Sequence, residues 1–240
     1  LSIVKYVLSS ILDYGTKNYN LSKVDFRQIK ITSTKREKNV LTEQDRNKII
    51  MYIKSNKTPL AIGMLLALYG GLRLGEICAL KWEDVDIKND LIYIKGTAAR
   101  LKNDKSSNSK TSVVIQTPKS SSSCRQVPLP KFAMKYVKDY SKNKKDNCFV
   151  LSNKTKIYEP RRLERQFLLF CRKSDIQSTF HNLRHSYVSE CVKQNVEIKT
   201  LSEILGHSNV SITLNLYVHT TLDQKKKEIR KIKPPKLFVD

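Results

Sequence analysis

Acidic residues are in short supply in this chain. Its 240 residues carry 22 Asp and Glu against 45 Lys and Arg, a formal charge of +23. Internal ion pairs cannot absorb that surplus, so the expected partner is a polyanion, either nucleic acid or an anionic membrane. Long apolar runs are lacking too. None approaches the roughly 20 residues that span a bilayer, and nothing at the start reads as a signal peptide. That favours nucleic acid and no membrane. The five cysteines (Cys78, Cys124, Cys148, Cys171, Cys191) are odd in number and never form a Cys-x-x-Cys pair. Their scatter argues against a disulfide or zinc framework and suits a reducing cytoplasm. No internal repeat is present, and the abundance of Lys, Ile and Asn is what an AT-rich bacterial genome encodes. Hydrophobic residues make up 40% of the chain, enough for one or two domains with real cores.

Ile3, Val4, Val7, Leu8, Ile11, Leu12 and Tyr14 recur at helical spacing over residues 1–19, which predicts a helix with a broad apolar face. The chain opens on Leu1 inside that pattern, so it is expected to be a fragment that begins within a domain. Residues 20–40 lose periodicity and turn basic, as an interdomain linker does. Thr42-Glu-Gln-Asp45 resembles a capping box for a helix that buries Ile49, Ile50 and Ile53. Thr58-Pro59 opens another, apolar nearly all round as far as Gly70-Gly71, which belongs at a domain centre. A short helix over 72–80 carries Arg73 and Glu76. Residues 91–95 read as a strand and 97–110 as a polar loop. Residues 113–115 and 126–127 read as the arms of a hairpin with Lys119 near its tip. Helices are expected at about 131–142, 160–173, 182–194, 197–205 and 210–218. The fold class this predicts is α+β, mainly α, with a small antiparallel three-stranded sheet.

Residues 181–219 concentrate a His-x-x-Arg pair, a Leu-Gly-His and a single tyrosine. Breaking a phosphodiester without metal needs an in-line nucleophile, cations on the non-bridging oxygens, an acid for the leaving oxygen, and groups that orient them. Arg73 and Arg184 suit the clamp, because a guanidinium is planar, always charged and matches phosphate bidentately. Glu76, one helical turn beyond Arg73, is placed to orient it. His181 lies three residues before Arg184 on the same helical face and exchanges protons near neutrality. Tyr217 offers a phenol with a free pKa of about 10, which cations and a base beside it would activate. Lys119 would serve as the acid. Taken singly, each of these is more often a solvated charge or a packing residue. His181 and His185 also share the i, i+4 spacing of zinc helices, but Asn182 stands where the glutamate belongs and no third ligand is evident, so no metal is expected.

The order of the segments decides between these readings. Gly70-Gly-Leu-Arg-Leu-Gly-Glu-Ile77, Thr117-Pro-Lys119 with Arg125-Gln-Val-Pro-Leu129, His181-x-Leu-Arg184-His185, Leu205-Gly-His207 and the run from Thr213 to Tyr217 follow one another as in the tyrosine recombinases. The chain thus resembles the integrases of temperate phages and conjugative transposons. The resemblance implies an active site of Arg73, Lys119, His181, Arg184, His207 and Tyr217, with Tyr217 the nucleophile and His207 bonding the phosphate. It implies no cofactor, because bond energy is kept in a 3′-phosphotyrosyl link. Double-stranded DNA would be the partner, bound by a tetramer of this chain that works through a Holliday junction. An excisionase or DNA-bending accessory protein would join it in a bacterial cytoplasm. It also implies a division into the last helix of a core-binding domain (1–19), a basic linker (20–40), a catalytic domain (41–219) and a basic tail exchanged between subunits (220–240). Two rivals are a helix-turn-helix regulator built on residues 198–217, with Gly206 in the turn, and a type IB topoisomerase.

Overall fold

The computed structural model describes residues 2–19, 21–22, 41–103, 111–117, 124–141, 145–207 and 210. The chain divides into two compact units, Leu1–Lys38 and Asn39–Asp240. In the first, helix α1 (Ser2–Tyr19) leaves Ile3, Val4, Val7, Ile11 and Tyr14 exposed. The expected linker lies almost wholly outside the described residues.

The second unit is built around one apolar helix. After α2 (Glu43–Ser55), whose Thr42 hydroxyl accepts from the Asp45 N–H at 3.1 Å, comes α3 (Pro59–Gly70). Thr58 caps α3 through the Ala61 N–H, Pro59 occupies its first turn, and Gly71 ends it in the left-handed region at φ 64°. Nearly every residue of α3 is buried. Ile49 and Ile53 of α2 belong to the same core, as do Leu163 and Phe167 of α6 (Pro160–Lys173) and Leu183 of α7 (Phe180–Lys193). Each large aliphatic side chain so buried contributes roughly 1.5–3 kcal/mol, so the centre of the unit is also its main source of stability. Helices α4 (Leu74–Ala79), α5 (Lys131–Tyr140) and α8 (Ile198–Leu205) belong to the same unit, as does a 3-10 turn over Trp82–Asp84.

The class is α+β, mainly α, with a three-stranded antiparallel sheet, but that sheet is assembled differently from the expectation. Its strands are β1 (Val85–Asp86), β2 (Leu91–Ile94) and β5 (Arg125–Pro128), in the order β1-β2-β5. The stretch expected to be a loop begins instead with strand β3 (Thr97–Lys102), which pairs with β4 (Thr111–Gln116) in a separate two-stranded ribbon. Residues 113–115 and 126–127 are therefore not two arms of one hairpin. The cause is packing: Gly75 of α4 lies so close to β3 that a Cβ there would sit 2.8 Å from the Ala98 carbonyl. Ala98 is buried in the process, and the β-branched residues of β4 complete the pair. Arg73 is also not inside a helix; it is the cap residue before α4. Apart from Val210, the second helix of the helix-turn-helix reading falls outside the described residues.

Candidate active site

The site forms where three segments meet the C-terminal end of α8. The last carbonyls of any helix lack partners within it and carry the negative end of its dipole. Here three consecutive ones are each taken by a different arginine. Arg125 Nε donates to the Ile204 carbonyl at 2.6 Å, Arg184 Nη2 to Leu205 at 2.8 Å, and Arg73 Nη2 to Gly206 at 3.2 Å. Gly206 supplies the left-handed turn, at φ 63°, that ends the helix and delivers His207.

Glu76 binds two of these arginines together. As the third residue of α4, its Oε2 accepts from the Arg73 backbone N–H at 2.8 Å, while its Oε1 accepts from Arg73 Nη1 at 2.8 Å. Arg125 meets both oxygens in a bidentate pair, Nη1 to Oε1 and Nη2 to Oε2, each at 2.9 Å. Both partners are desolvated, with side chains 6% and 5% exposed. Burial alone would raise the Glu76 carboxyl pKa; the hydrogen bonds and charges of Arg125 and Arg73 outweigh it and hold the group below its usual range.

Arg184 projects from the first turns of α7 and is almost fully buried. Its Nη1 donates to the Gly71 carbonyl at 2.6 Å, just past the end of α3. Burial and the charge of Arg73 bring its pKa down to about 9, still well above neutrality, so it stays cationic. Arg184 Nη2 also lies 3.0 Å from His207 Nε2. A guanidinium only donates, so Nε2 accepts and the ring proton of His207 sits on Nδ1. Burial first, then the charges of Arg184, Arg73 and Arg125, lower the His207 pKa to about 4. His181 is shifted the same way by partial burial, Arg184 and Arg73, and its ring packs edge-on against His185 with centroids 4.5 Å apart.

The structure thus brings Arg73, His181, Arg184, His207 and Glu76 into one place. Lys119 and Tyr217 lie outside the described residues. Arg125 was seen in the sequence only as part of a motif, with no role of its own. A signal was nonetheless present. Period-two alternation puts Arg125 on the same face of β5 as Val127, which is fully buried, and a buried charge must be paired or hydrogen-bonded within the protein. Among the described residues, no three His, Cys, Asp or Glu side chains group as a metal site would.

Chemically, three guanidiniums face one carboxylate while both histidines are neutral at pH 7. Such a surplus of positive charge, with donors already fixed in place, is an anion cradle. Two predictions follow from the geometry. A Cβ on Gly71 would sit 2.6 Å from Tyr187 Cδ1 and 2.9 Å from Leu205 Cδ2, at a φ that disfavours any L side chain. Gly71→Ala should therefore cost about 2–4 kcal/mol, from backbone strain and overpacking together, read as a lower urea midpoint. The second concerns pH. Between about 4 and the unfolded value near 6.5, the unfolded chain binds more protons at His207 than the folded one, so stability falls as pH drops through that window. His207→Gln should flatten the slope of Tm against pH there; an unchanged slope would contradict the assignment.

Comparison with known proteins agrees with this fold. An integrase of transposon Tn1549, solved in complex with transposon right end DNA, superposes with a TM-score of 0.77 at 22% identity, over 95% of this chain and 77% of that one. A model of the phage integrase family matches residues 39–224. The chain belongs to that family, whose members are the tyrosine recombinases. Among its relatives, a XerC-like tyrosine recombinase of Caldanaerobacter subterraneus subsp. tengcongensis is 29% identical over 186 residues, 67% of this chain and 46% of that protein. The transposase of transposon Tn916 from Enterococcus faecalis is 27% identical over 218 residues, 83% and 52% respectively. The chain therefore spans about half the length of these relatives.

Proposed function

We propose that this chain is the strand-exchanging part of a site-specific DNA recombinase of a mobile element. The observation that carries the reading is the arginine cradle at the end of α8, in a member of a family whose named relatives are recombinases and transposases. Tyr217 attacks the scissile phosphorus; the P–O bond to the 5′ carbon side breaks as the bond to the phenolic oxygen forms. Lys119 gives its proton to the leaving 5′ oxygen. His181, neutral because its surroundings disfavour the imidazolium, takes the phenolic proton and returns it in the reverse step. Attack adds negative charge to an already anionic phosphodiester, and Arg73 and Arg184 answer it through donors that need no reorganisation. His207 hydrogen-bonds the same phosphate. The partner is double-stranded DNA, held by a tetramer that passes through a Holliday junction, with an excisionase or DNA-bending protein as accessory. Residues 41–219 are the catalytic domain, 1–19 the end of a core-binding domain and 220–240 a tail shared between subunits.

The test is a nicked duplex, selected from a randomised pool by its binding to the protein, incubated and run under denaturing conditions. The reading expects a covalent protein–DNA band, and binding that weakens steeply with salt as phosphate contacts release counterions. Tight binding with no covalent band would identify a regulator instead. Relaxation of supercoiled DNA without site preference would identify a topoisomerase.

A further inference from the structure

We infer that Arg125 is a positioning residue of this site: it locks the C-terminal turn of α8 to Glu76, so that Arg73, Arg184 and His207 converge on one phosphate. The inference rests on the proposed strand-transfer reading. Arg125 differs from Arg73 in how it is committed. All three of its side-chain nitrogens donate within the protein, Nε to Ile204 and both Nη to Glu76, and its side chain is 6% exposed against 38% for Arg73. Arg73 is thus accessible to an incoming anion, whereas Arg125 is not placed to touch one.

Its bonds nonetheless govern everything that is. Glu76 sets the orientation of Arg73 through two contacts of 2.8 Å, and Arg125 holds Glu76. The Leu205 and Gly206 carbonyls, which take Arg184 and Arg73, directly follow the Ile204 carbonyl that Arg125 grips, and His207 is the next residue. The Arg125–Ile204 bond therefore holds the turn that carries both of those carbonyls and His207. Arg125 also opens β5, at the end of the connection that carries Lys119. Only a guanidinium spans this arrangement. Neutralising Glu76 needs a single cation, but reaching both carboxylate oxygens and a carbonyl in another direction needs a planar fork.

Arg125→Lys separates the two roles, because it keeps the charge beside Glu76 and loses the tie to Ile204. The variant is expected to stay folded and to bind the selected nicked duplex within about 3-fold of wild type, while the first-order rate of covalent adduct formation falls by about 10- to 100-fold, as displacements of an ångström or less can cause. The second readout needs no DNA. His207 is one of four histidines, so its ring is resolvable by NMR. In wild type, inorganic phosphate should raise the His207 pKa, and Arg125→Lys should demand several-fold more phosphate for the same rise. If Arg125→Lys fails to fold, the pair Arg125→Gln with Glu76→Gln removes both buried charges and should lose the phosphate response. A wild type without adduct whose His207 responds as described, with the response blunted in the variant, would sink the recombinase reading and leave the role of Arg125 standing. Equal adduct rates and equal phosphate responses in wild type and Arg125→Lys would overturn the inference. So would a wild-type His207 indifferent to phosphate, or a response that survives in the Gln pair.

Discussion

Lysine in place of Arg184 is expected to slow covalent adduct formation by about 10²- to 10³-fold, the usual cost of removing one preorganised donor from a developing anion. The charge survives the substitution, so the loss measures geometry. Arg184 reaches the Gly71 carbonyl with one terminal nitrogen and the Leu205 carbonyl with the other, at 2.6 and 2.8 Å, and touches His207 at 3.0 Å. An ammonium carries its donors on a single atom and cannot span two carbonyls that belong to different segments. One carbonyl is left buried without its donor, which costs about 1–3 kcal/mol. Single-turnover adduct formation on the nicked duplex, with binding measured separately, checks the rate, and a urea midpoint checks the stability. A loss of binding with an unchanged rate would place Arg184 outside the chemistry.

The largest effect on stability is expected at Glu76. Replacing it with leucine leaves the buried guanidinium of Arg125 without its carboxylate, and breaking a buried pair from one side costs about 3–5 kcal/mol. Glu76→Gln should cost less, because the amide oxygen still accepts one of the Arg125 bonds. The effect has a pH signature. The folded pKa of Glu76 is depressed, so its contribution is fully present above the unfolded carboxyl value and is lost as pH falls through the folded one. The gap in unfolding free energy between wild type and Glu76→Gln should therefore narrow in acid. A gap that is constant with pH would mean that the pair is not ionised as described.

Local chemistry was legible in the sequence. Thr42 and Thr58 read as caps because a hydroxyl accepts from the first turn, and the apolar run from Pro59 read as central because no polar face interrupts it. The spacing of His181 and Arg184 gave a shared helical face. What escaped was set by contacts between distant segments. Ala98 has no strand signature of its own; it lies in a strand because Gly75 lets α4 approach it and β4 pairs beside it. Gln126-Val127 is too short to choose a partner, and its pairing with Tyr93 and Ile92 follows from where the core sits. Arg125 went unassigned for the same reason. Its partners are 49 residues upstream and 79 downstream, a relation that no local pattern contains. The three arginines on successive carbonyls at the C-terminal end of α8 are likewise visible only in space.

The measurement that bears most directly on the central claim is the identity of the residue joined to DNA. The covalent complex would be trapped on the nicked duplex, digested with nuclease and protease, and the modified peptide sequenced by mass spectrometry. The account predicts a nucleotide 3′-phosphate on Tyr217 alone, and no adduct from Tyr217→Phe. Attachment at any other of the 11 tyrosines, or undiminished adduct in Tyr217→Phe, would contradict it.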